Sequence, residues 1–327
     1  MVNSTHNDSR ILGSTPRPPA SADKPSAWRT TTVPGPAILV AALILISLLL
    51  LSPLLPRYLE GDGNAVPPVA AGPQTQPASR PATTQPRAVS PHVTRDRHGR
   101  LHWPRPRSRE RQAHRDSMVR TQIEADSVFR SAIKDGRVLA AMRAVPRHKF
   151  VPRDRRSIAY ADTPLPIGHG QTISQPFIVA LMTELLQVEQ GDRILEIGTG
   201  SGYQAAVLNE LTPYVYTIEI VEPLHKRVVE RFEKLGYRTI QIHLGDGYDG
   251  WPDDVTFDGI IVTCAAGHVP PPLWAQLKPG GRMVIPIGGV YETQRLVVLT
   301  KERGGRRRSR SVLPVRFVPM TGKIQSP

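Results

Sequence analysis

The most constraining feature of the sequence is an apolar segment that runs directly into three glycines at alternate positions. Arg193–Ile197 has the composition of a strand, and Gly198, Gly200 and Gly202 follow it before a helix-forming stretch that begins at Tyr203. Glycines at a strand end let the backbone approach a ligand closely, and α/β folds bind nucleotides at that edge of the sheet. A dinucleotide fingerprint needs Gly or Ala where Tyr203 stands, so the spacing favours S-adenosylmethionine over NAD.

Acidic residues follow the next two predicted strands. Glu219 ends the apolar run 215–218, where a carboxylate is placed to accept hydrogen bonds from both hydroxyls of a ribose. Asp246 follows the alternating segment 240–244 in a Gly-Asp-Gly sequence that ends at Gly247, and it is placed to reach an adenine amino group. An ordinary Asp-Gly turn explains Asp246 nearly as well.

Strand-like and helix-like segments alternate through the C-terminal part of the chain. The predicted helices are 203–211, 223–235 and 271–277. This alternation predicts an α/β fold with a doubly wound, mostly parallel sheet and helices on both faces. We expect a helical lead over 117–153 and final strands at 295–300 and 312–318.

Composition divides the chain into an N-terminal extension and one folded domain. Pro is abundant, at 33 residues, and much of it precedes position 110. Such segments bury too little apolar surface to offset the entropy of ordering. We therefore predict a disordered N-terminus over 1–36, a Pro-rich disordered linker over 56–116, and one folded domain over 117–327.

An apolar segment at 37–55 interrupts the extension. Its length suits a transmembrane helix, and a signal-peptide core or sequence upstream of the true start explains it about as well. Arg17, Lys24 and Arg29 precede the segment, and the positive-inside rule then places the domain outside the cytoplasm. S-adenosylmethionine is a cytoplasmic metabolite, so we expect the catalytic domain in the cytoplasm and leave the topology of a 37–55 anchor open.

The net charge of +14 is concentrated in the extension and in one loop. Residues 1–117 carry 15 Lys and Arg against 7 Asp and Glu, and residues 301–310 carry six against one. The rest of the domain is close to neutral, so no specific nucleic-acid partner is expected. A solvated loop is favoured at 301–310, and binding to anionic lipid or nucleic acid stays open. The 1 Cys and 10 His predict no metal site.

A second motif, Gly-Gln-Thr-Ile-Ser-Gln-Pro at 170–176, precedes an apolar helix predicted over Phe177–Leu186. Ser174 is suited to cap that helix, and a capped helix start also presents N–H groups that attract a carboxylate. Together with the segments 142–152 and 159–162, this motif closely resembles protein-L-isoaspartate O-methyltransferases. The resemblance extends from about Met118 to the C-terminus.

The resemblance implies a seven-stranded Rossmann-like sheet and a set of site residues. It places the active-site residue at Ser174, with Thr172 and Ile173 beside it in contact with substrate. With the glycine turn, the cofactor-binding residues are Glu196, Gly198, Gly200, Gly202, Glu219, Asp246, Gly247 and Thr321, of which Thr321 lies in a segment that closes over the cofactor.

The implied reaction is methyl transfer from S-adenosylmethionine to the carboxylate of L-isoaspartyl residues in aged proteins, which starts their repair through a succinimide. A carboxylate is already ionised at neutral pH, so the reaction needs no general base. The implied partners are proteins and peptides that carry isoaspartyl residues, and we expect the enzyme to act as a monomer.

Two alternatives stay open. A methyltransferase for nucleic acid or a small molecule is one, although the amino-methylating motif is absent after the fourth strand and catalysis by Cys264 is disfavoured because a buried Cys is commonly an apolar filler. A membrane-tethered binding module without catalysis is the other, and the unusual extension motivates it.

Overall fold

The structure is a computed structural model that describes residues 92–126, 130–289 and 292–325. The predicted N-terminus and the apolar segment 37–55 lie outside these residues. The strands are β1 (Thr94–Arg95), β2 (Leu101–His102), β3 (Leu165–Gly168), β4 (Gln171–Ile173), β5 (Arg193–Ile197), β6 (Tyr214–Glu219), β7 (Gln241–Leu244), β8 (Phe257–Val262), β9 (Leu277–Ile287), β10 (Gln294–Lys301) and β11 (Arg307–Val315). The α-helices are α1 (Gln112–Met118), α2 (Gly136–Ala144), α3 (Pro176–Leu186), α4 (Tyr203–Leu211), α5 (Glu222–Leu235) and α6 (Pro271–Gln276).

The central sheet has seven strands in the order β11-β10-β9-β8-β5-β6-β7. Strands β9, β8, β5, β6 and β7 are parallel, and β10 runs antiparallel to both of its neighbours. The predicted α/β class and the mostly parallel, seven-stranded sheet are confirmed. The chain winds outward from β5 to β7 and then returns to β8, so the carboxyl ends of β5 and β8 form the switch point where such folds bind ligands.

The alternation of side chains along each strand builds a hydrophobic core on both faces of the sheet. On β5, Ile194 belongs to the core formed with α3, α4 and α5, whereas Leu195 belongs to the opposite core. The opposite core is covered by α6, by Trp251 and by the β1–β2 hairpin. Burial on both faces explains why these strands read as nearly continuous apolar runs.

Residues 92–116, here called the N-terminal strap, are packed against the domain. Val93 and Leu101 are buried in the second core, and Trp103 Nε1 donates a hydrogen bond to the Asn209 carbonyl over 2.8 Å. The prediction of a disordered linker over 56–116 is therefore wrong for 92–116. Its few apolar side chains find partners on the sheet that no local sequence pattern reveals.

The helical lead predicted over 117–153 is confirmed as a series of short helices that includes a π-helical turn (Val119–Ile123), α2 and a 3₁₀ turn (Arg147–Lys149). The last strand begins earlier than predicted, at Arg307 in place of residue 312, so part of the basic segment is strand and not loop. Among the described residues, no helix is long and apolar enough to cross a membrane.

Candidate active site

A pocket opens at the carboxyl ends of β5, β6 and β8, and is here called the strand-end pocket. The space within it is about 750 Å³ when its open mouth is included. Predicted site residues that line it are Thr172, Ile173, Ser174, Glu196, Gly198, Gly200, Glu219, Gly247 and Thr321. Gly202 and Asp246 are the two predicted residues that the structure does not bring to its wall.

The glycines in the turn after β5 have positive φ values, which glycine adopts more readily than other residues. Gly198 and Gly200 have φ values of 92° and 52°, and a Cβ on Gly198 would lie 2.8 Å from the Thr263 hydroxyl. Gly202 also has a positive φ, of 80°, but its α-carbon faces Phe232 of α5 and not the pocket. Gly202 therefore allows α4 to pack on α5, and its contact with the cofactor stays a prediction.

Glu219, the last residue of β6, is 4% exposed and lines the pocket. Its carboxylate accepts a hydrogen bond from the backbone N–H of Gly200 at 2.6 Å and another from that of Val221 at 2.9 Å. Each carboxylate oxygen keeps further acceptor capacity. Glu219 thus fixes the glycine turn and still presents acceptors to a ligand.

Glu196, on β5, is fully buried at the base of the pocket. Its Oε2 accepts a hydrogen bond from the Thr217 hydroxyl at 2.6 Å, and its Oε1 has no hydrogen-bond partner. Burial raises the pKa of this carboxyl to about 8. A buried acceptor without a partner beside a cavity is suited to a positively charged or hydrogen-bonding ligand group.

The Asp246 carboxylate bonds the C-terminal segment. Its Oδ1 accepts from the Tyr248 N–H at 2.9 Å, and its Oδ2 accepts from the Lys323 N–H at 2.7 Å. The neighbouring Gly247 does line the pocket, and a Cβ there would lie 2.3 Å from Ile197 Cγ2. Asp246 thus anchors the chain after Thr321, and its contact with adenine stays a prediction.

The C-terminal segment crosses the pocket mouth. The Ala265 N–H donates to the Val318 carbonyl and the Met320 N–H donates to the Ala265 carbonyl, both at 2.8 Å. Residues 318–321 consequently line the pocket and bring Thr321 to it, as the sequence predicts.

Ser174 follows β4 and precedes the first turn of α3. The prediction that Ser174 caps this helix is wrong, because the N-cap is Gln175 and no side chain of the cap residue bonds the helix. Asp162 serves the helix start instead, accepting from the Phe177 N–H at 3.0 Å and from Gln175 Nε2 at 2.9 Å. The Ser174 hydroxyl is therefore not used for capping.

A second cavity, here called the β11 groove, lies beside the first. It runs between the start of α3 and the end of β11, and its wall includes Arg130, Phe177 and residues 313–318. Four residues line both cavities, namely Thr172, Ser174, Thr263 and Val318. Ser174 thus lies on the wall that the strand-end pocket and the groove share.

Cys264 lines the strand-end pocket but is not suited to nucleophilic catalysis. Burial raises the pKa of its thiol to about 12, so the reactive thiolate is scarce at neutral pH. Among the described residues, no group of His, Cys, Asp and Glu is arranged to hold a metal ion.

Two residues that line these cavities, Arg130 and Thr263, were not among the predicted site residues. Arg130 Nη1 donates to Asp162 Oδ2 at 2.5 Å, and its guanidinium lies 4.1 Å from the ring centre of Phe177. Asp162 lies in the segment 159–162 that carries the family resemblance. Its partners Arg130 and Phe177 come from other parts of the chain, so the sequence does not reveal these contacts. The Thr263 hydroxyl donates to the Gly198 carbonyl at 2.7 Å. The sequence indicates only that Thr263 follows a strand.

Comparisons with known proteins agree on one family. The family model described as protein-L-isoaspartate(D-aspartate) O-methyltransferase matches residues 122–325. Protein-L-isoaspartate O-methyltransferase 2 of Polaromonas sp. is 58% identical over 189 residues, which are 58% of this chain and 90% of the relative. The corresponding protein of Syntrophobacter fumaroxidans is 53% identical over 216 residues, 64% of this chain and 87% of the relative.

Solved structures give the same result. A protein-L-isoaspartate O-methyltransferase from Plasmodium falciparum, in complex with S-adenosyl-L-homocysteine, superposes with a TM-score of 0.55 at 26% identity. The superposition covers 65% of this chain and 99% of that one.

Proposed function

The chain belongs to the protein-L-isoaspartate O-methyltransferase family, and on that premise we infer that it transfers a methyl group from S-adenosyl-L-methionine to the carboxylate of L-isoaspartyl residues in proteins. The observation that carries this inference is the position of Ser174, at the junction of the strand-end pocket and the β11 groove. A methyl donor in the pocket and a peptide in the groove meet at this residue.

The strand-end pocket suits S-adenosyl-L-methionine, which supplies a methyl group on a positively charged sulfur. Glu196 presents a buried, unpartnered oxygen to the positive charges of this ligand. Glu219 presents acceptors for ribose hydroxyls. Gly198 and Gly200 let the backbone approach the ligand, and Thr321 closes the pocket from the C-terminal segment.

Ser174 positions the carboxylate that receives the methyl group. The substrate carboxylate is ionised at neutral pH, so the enzyme needs to orient it and exclude water but not to remove a proton. Orientation of two reactants is worth about 7–11 kcal/mol. The Ser174 hydroxyl is free of a capping role and donates to this carboxylate, and Thr172 and Ile173 hold the peptide beside it.

The product ester completes the first step of repair. The ester carries a better leaving group than the free carboxylate, so the next backbone nitrogen attacks it and releases methanol. The resulting succinimide hydrolyses partly to normal aspartate.

The deciding experiment compares an isoaspartyl peptide with its normal-aspartyl twin as acceptors of a labelled methyl group. We expect label only in the isoaspartyl peptide. Equal labelling of both would contradict the repair function. Binding of S-adenosyl-L-methionine in calorimetry without labelling of either peptide would instead favour a non-catalytic binding module.

The variant Ser174→Ala tests the role of the hydroxyl. We expect kcat/KM for the isoaspartyl peptide to fall about 10- to 100-fold, since one hydrogen bond to a charged group is lost. The affinity for S-adenosyl-L-methionine should not change. Ser309→Ala, at an exposed position on β11, is the matched control and should retain full activity.

The substrates we propose are isoaspartyl proteins in the cytoplasm, where the methyl donor is made, and the enzyme acts on them as a monomer. Residues 37–55 stay a candidate anchor for the domain. Light scattering of the purified chain measures the mass of the particle in solution. Cell fractionation of the full chain, with and without 37–55, measures where the protein is located.

A further inference from the structure

The outer strand of the sheet, β11, joins a basic half to a half that lines the substrate groove. Residues 307–310 are all exposed, and three of these four are arginines. Residues 313–315 of the same strand line the β11 groove beside Ser174. A polypeptide that enters the groove and continues along β11 therefore reaches the arginines.

Three guanidinium groups are gathered on one face of this edge. Thr300 of β10 is paired with Arg282 on one side and with Arg308 on the other, so both arginines project from the same face. Arg310 lies two residues beyond Arg308 and shares that face. Burial, together with the positive charges of Arg308 and Arg310, lowers the pKa of the Arg282 guanidinium.

This cluster lacks the acidic partners that other arginines have. Arg107, Arg137 and Arg143 each form an ion pair of 3.0 Å or less with a carboxylate. In the part of the chain that the structure describes, Arg282 and Arg310 form no ion pair, and Arg308 reaches one carboxylate only at 3.8 Å. Charge on an edge strand discourages edge-to-edge pairing. That purpose explains positive charge on β11 but not the crowding of three arginines.

The second edge of β11 is available to a peptide. Within the described residues, β11 pairs with β10 alone. An unpaired strand edge offers main-chain donors and acceptors to an extended peptide whatever its sequence. The arginines add a preference for acidic side chains to this sequence-independent binding.

We propose that Arg282, Arg308 and Arg310 bind acidic side chains of the protein substrate that lie about four to seven residues from the isoaspartyl residue, at a strand rise of about 3.3 Å per residue. This inference rests on the proposed function. It assigns a preferred substrate class, polypeptides with an acidic segment on one side of the damaged residue. The arginines lower KM and leave kcat unchanged, because they do not touch the reacting carboxylate.

The test uses the full chain and three isoaspartyl peptides, one with neutral flanks and one each with a Glu-rich block on the N-terminal or the C-terminal side. At low salt, we expect one acidic peptide to have a KM about three- to tenfold below that of the neutral peptide, and high salt to remove the difference. The double variant Arg308→Gln/Arg310→Gln should raise that KM to the neutral value without affecting the neutral peptide. Arg238→Gln, at an exposed position before β7 on the other edge of the sheet, should change nothing.

A charge reversal provides an independent check. Arg308→Glu/Arg310→Glu should prefer a Lys-rich flank over a Glu-rich one. Equal KM values for all three peptides in the wild-type chain would overturn the proposal while leaving the methyltransferase function intact. Double variants that keep the preference for the acidic peptide would overturn the proposal. Aggregation of these variants would then indicate edge protection, and loss of their retention on phosphatidylglycerol vesicles would indicate a lipid-binding surface. Failure to methylate even the neutral isoaspartyl peptide would refute the proposed function itself, and this inference with it.

Discussion

The two ends of the central sheet are held together in different ways. At the carboxyl end, the strand-end pocket is built from glycines and buried carboxylates that follow the strands directly. At the amino end, the N-terminal strap is fastened by long side chains that reach backbone carbonyls, as Trp103 does at Asn209. The strap also precedes residue 122, where the match to the family model begins. We expect the carboxyl end to carry the reaction and the strap to stabilise the fold.

The largest effect that this comparison predicts is loss of stability in Arg115→Met. Arg115 is fully buried and donates to the carbonyls of Ser108, Glu110 and Arg143, which joins the strap to α2. Removing the guanidinium leaves these acceptors without a donor, so the free energy of unfolding should fall by about 3–5 kcal/mol. Urea denaturation of the full chain measures this change.

The exposed Arg109→Met is the matched control for Arg115→Met, and it should be neutral. Activity of the folded fraction should be normal in both variants. If Arg115→Met lowered kcat/KM of the folded enzyme with little loss of stability, the strap would belong to the active site and the comparison would fail.

At the carboxyl end, Glu219→Ala should affect function and stability together. The cofactor loses a ribose partner, and the N–H groups of Gly200 and Val221 lose their acceptor. We expect the Kd for S-adenosyl-L-methionine to rise about 100-fold and the free energy of unfolding to fall by about 2–3 kcal/mol. Calorimetry and denaturation measure the two quantities.

Glu222→Ala is the control. It removes an exposed carboxylate three residues after Glu219 and should leave the Kd for S-adenosyl-L-methionine and the free energy of unfolding unchanged. A normal Kd in Glu219→Ala would show that the ribose contact is wrongly assigned.

The sequence predicted the carboxyl end well because each element there is local. The glycines directly follow β5, and Glu219 is the last residue of β6. Each residue type is therefore explained by its own strand end and by a ligand bound there. Asp246 shows the limit of such reasoning. Its Gly-Asp-Gly context predicts a contact with adenine but gives no sign of its hydrogen bond to the backbone N–H of Lys323, which lies 77 residues away.

The strap could not be predicted for the same reason. Its Pro and Arg content is typical of a disordered linker. The contacts that order it, from Val93 and Leu101 to the sheet core, join residues about 100 positions apart. Only a folded sheet supplies the partners, so no local pattern reveals them.

The next prediction concerns pH and separates Glu196 from the other pocket residues. The pKa of this carboxyl is raised to about 8 by burial, so it is largely protonated at pH 7 in the free enzyme. A positively charged ligand favours the carboxylate, so binding releases a proton and affinity should rise about tenfold per pH unit up to pH 8. Glu196→Gln should bind more weakly at pH 8 and show no such rise. An unchanged slope in this variant would assign the titration to another group.

The smallest effect concerns the C-terminal segment that closes the strand-end pocket. Gly322 has a φ of 98°, and a Cβ there would lie 2.3 Å from Asp246 Oδ2. Gly322→Ala should therefore break the hydrogen bond from the Lys323 N–H and loosen the segment, raising the Kd for S-adenosyl-L-methionine about fivefold. Gly304→Ala is the control, because nothing lies within 4 Å of its added Cβ. The free energy of unfolding of this variant should fall much less than that of Arg115→Met, and an equal fall would show that the C-terminal segment stabilises the fold as much as the strap does.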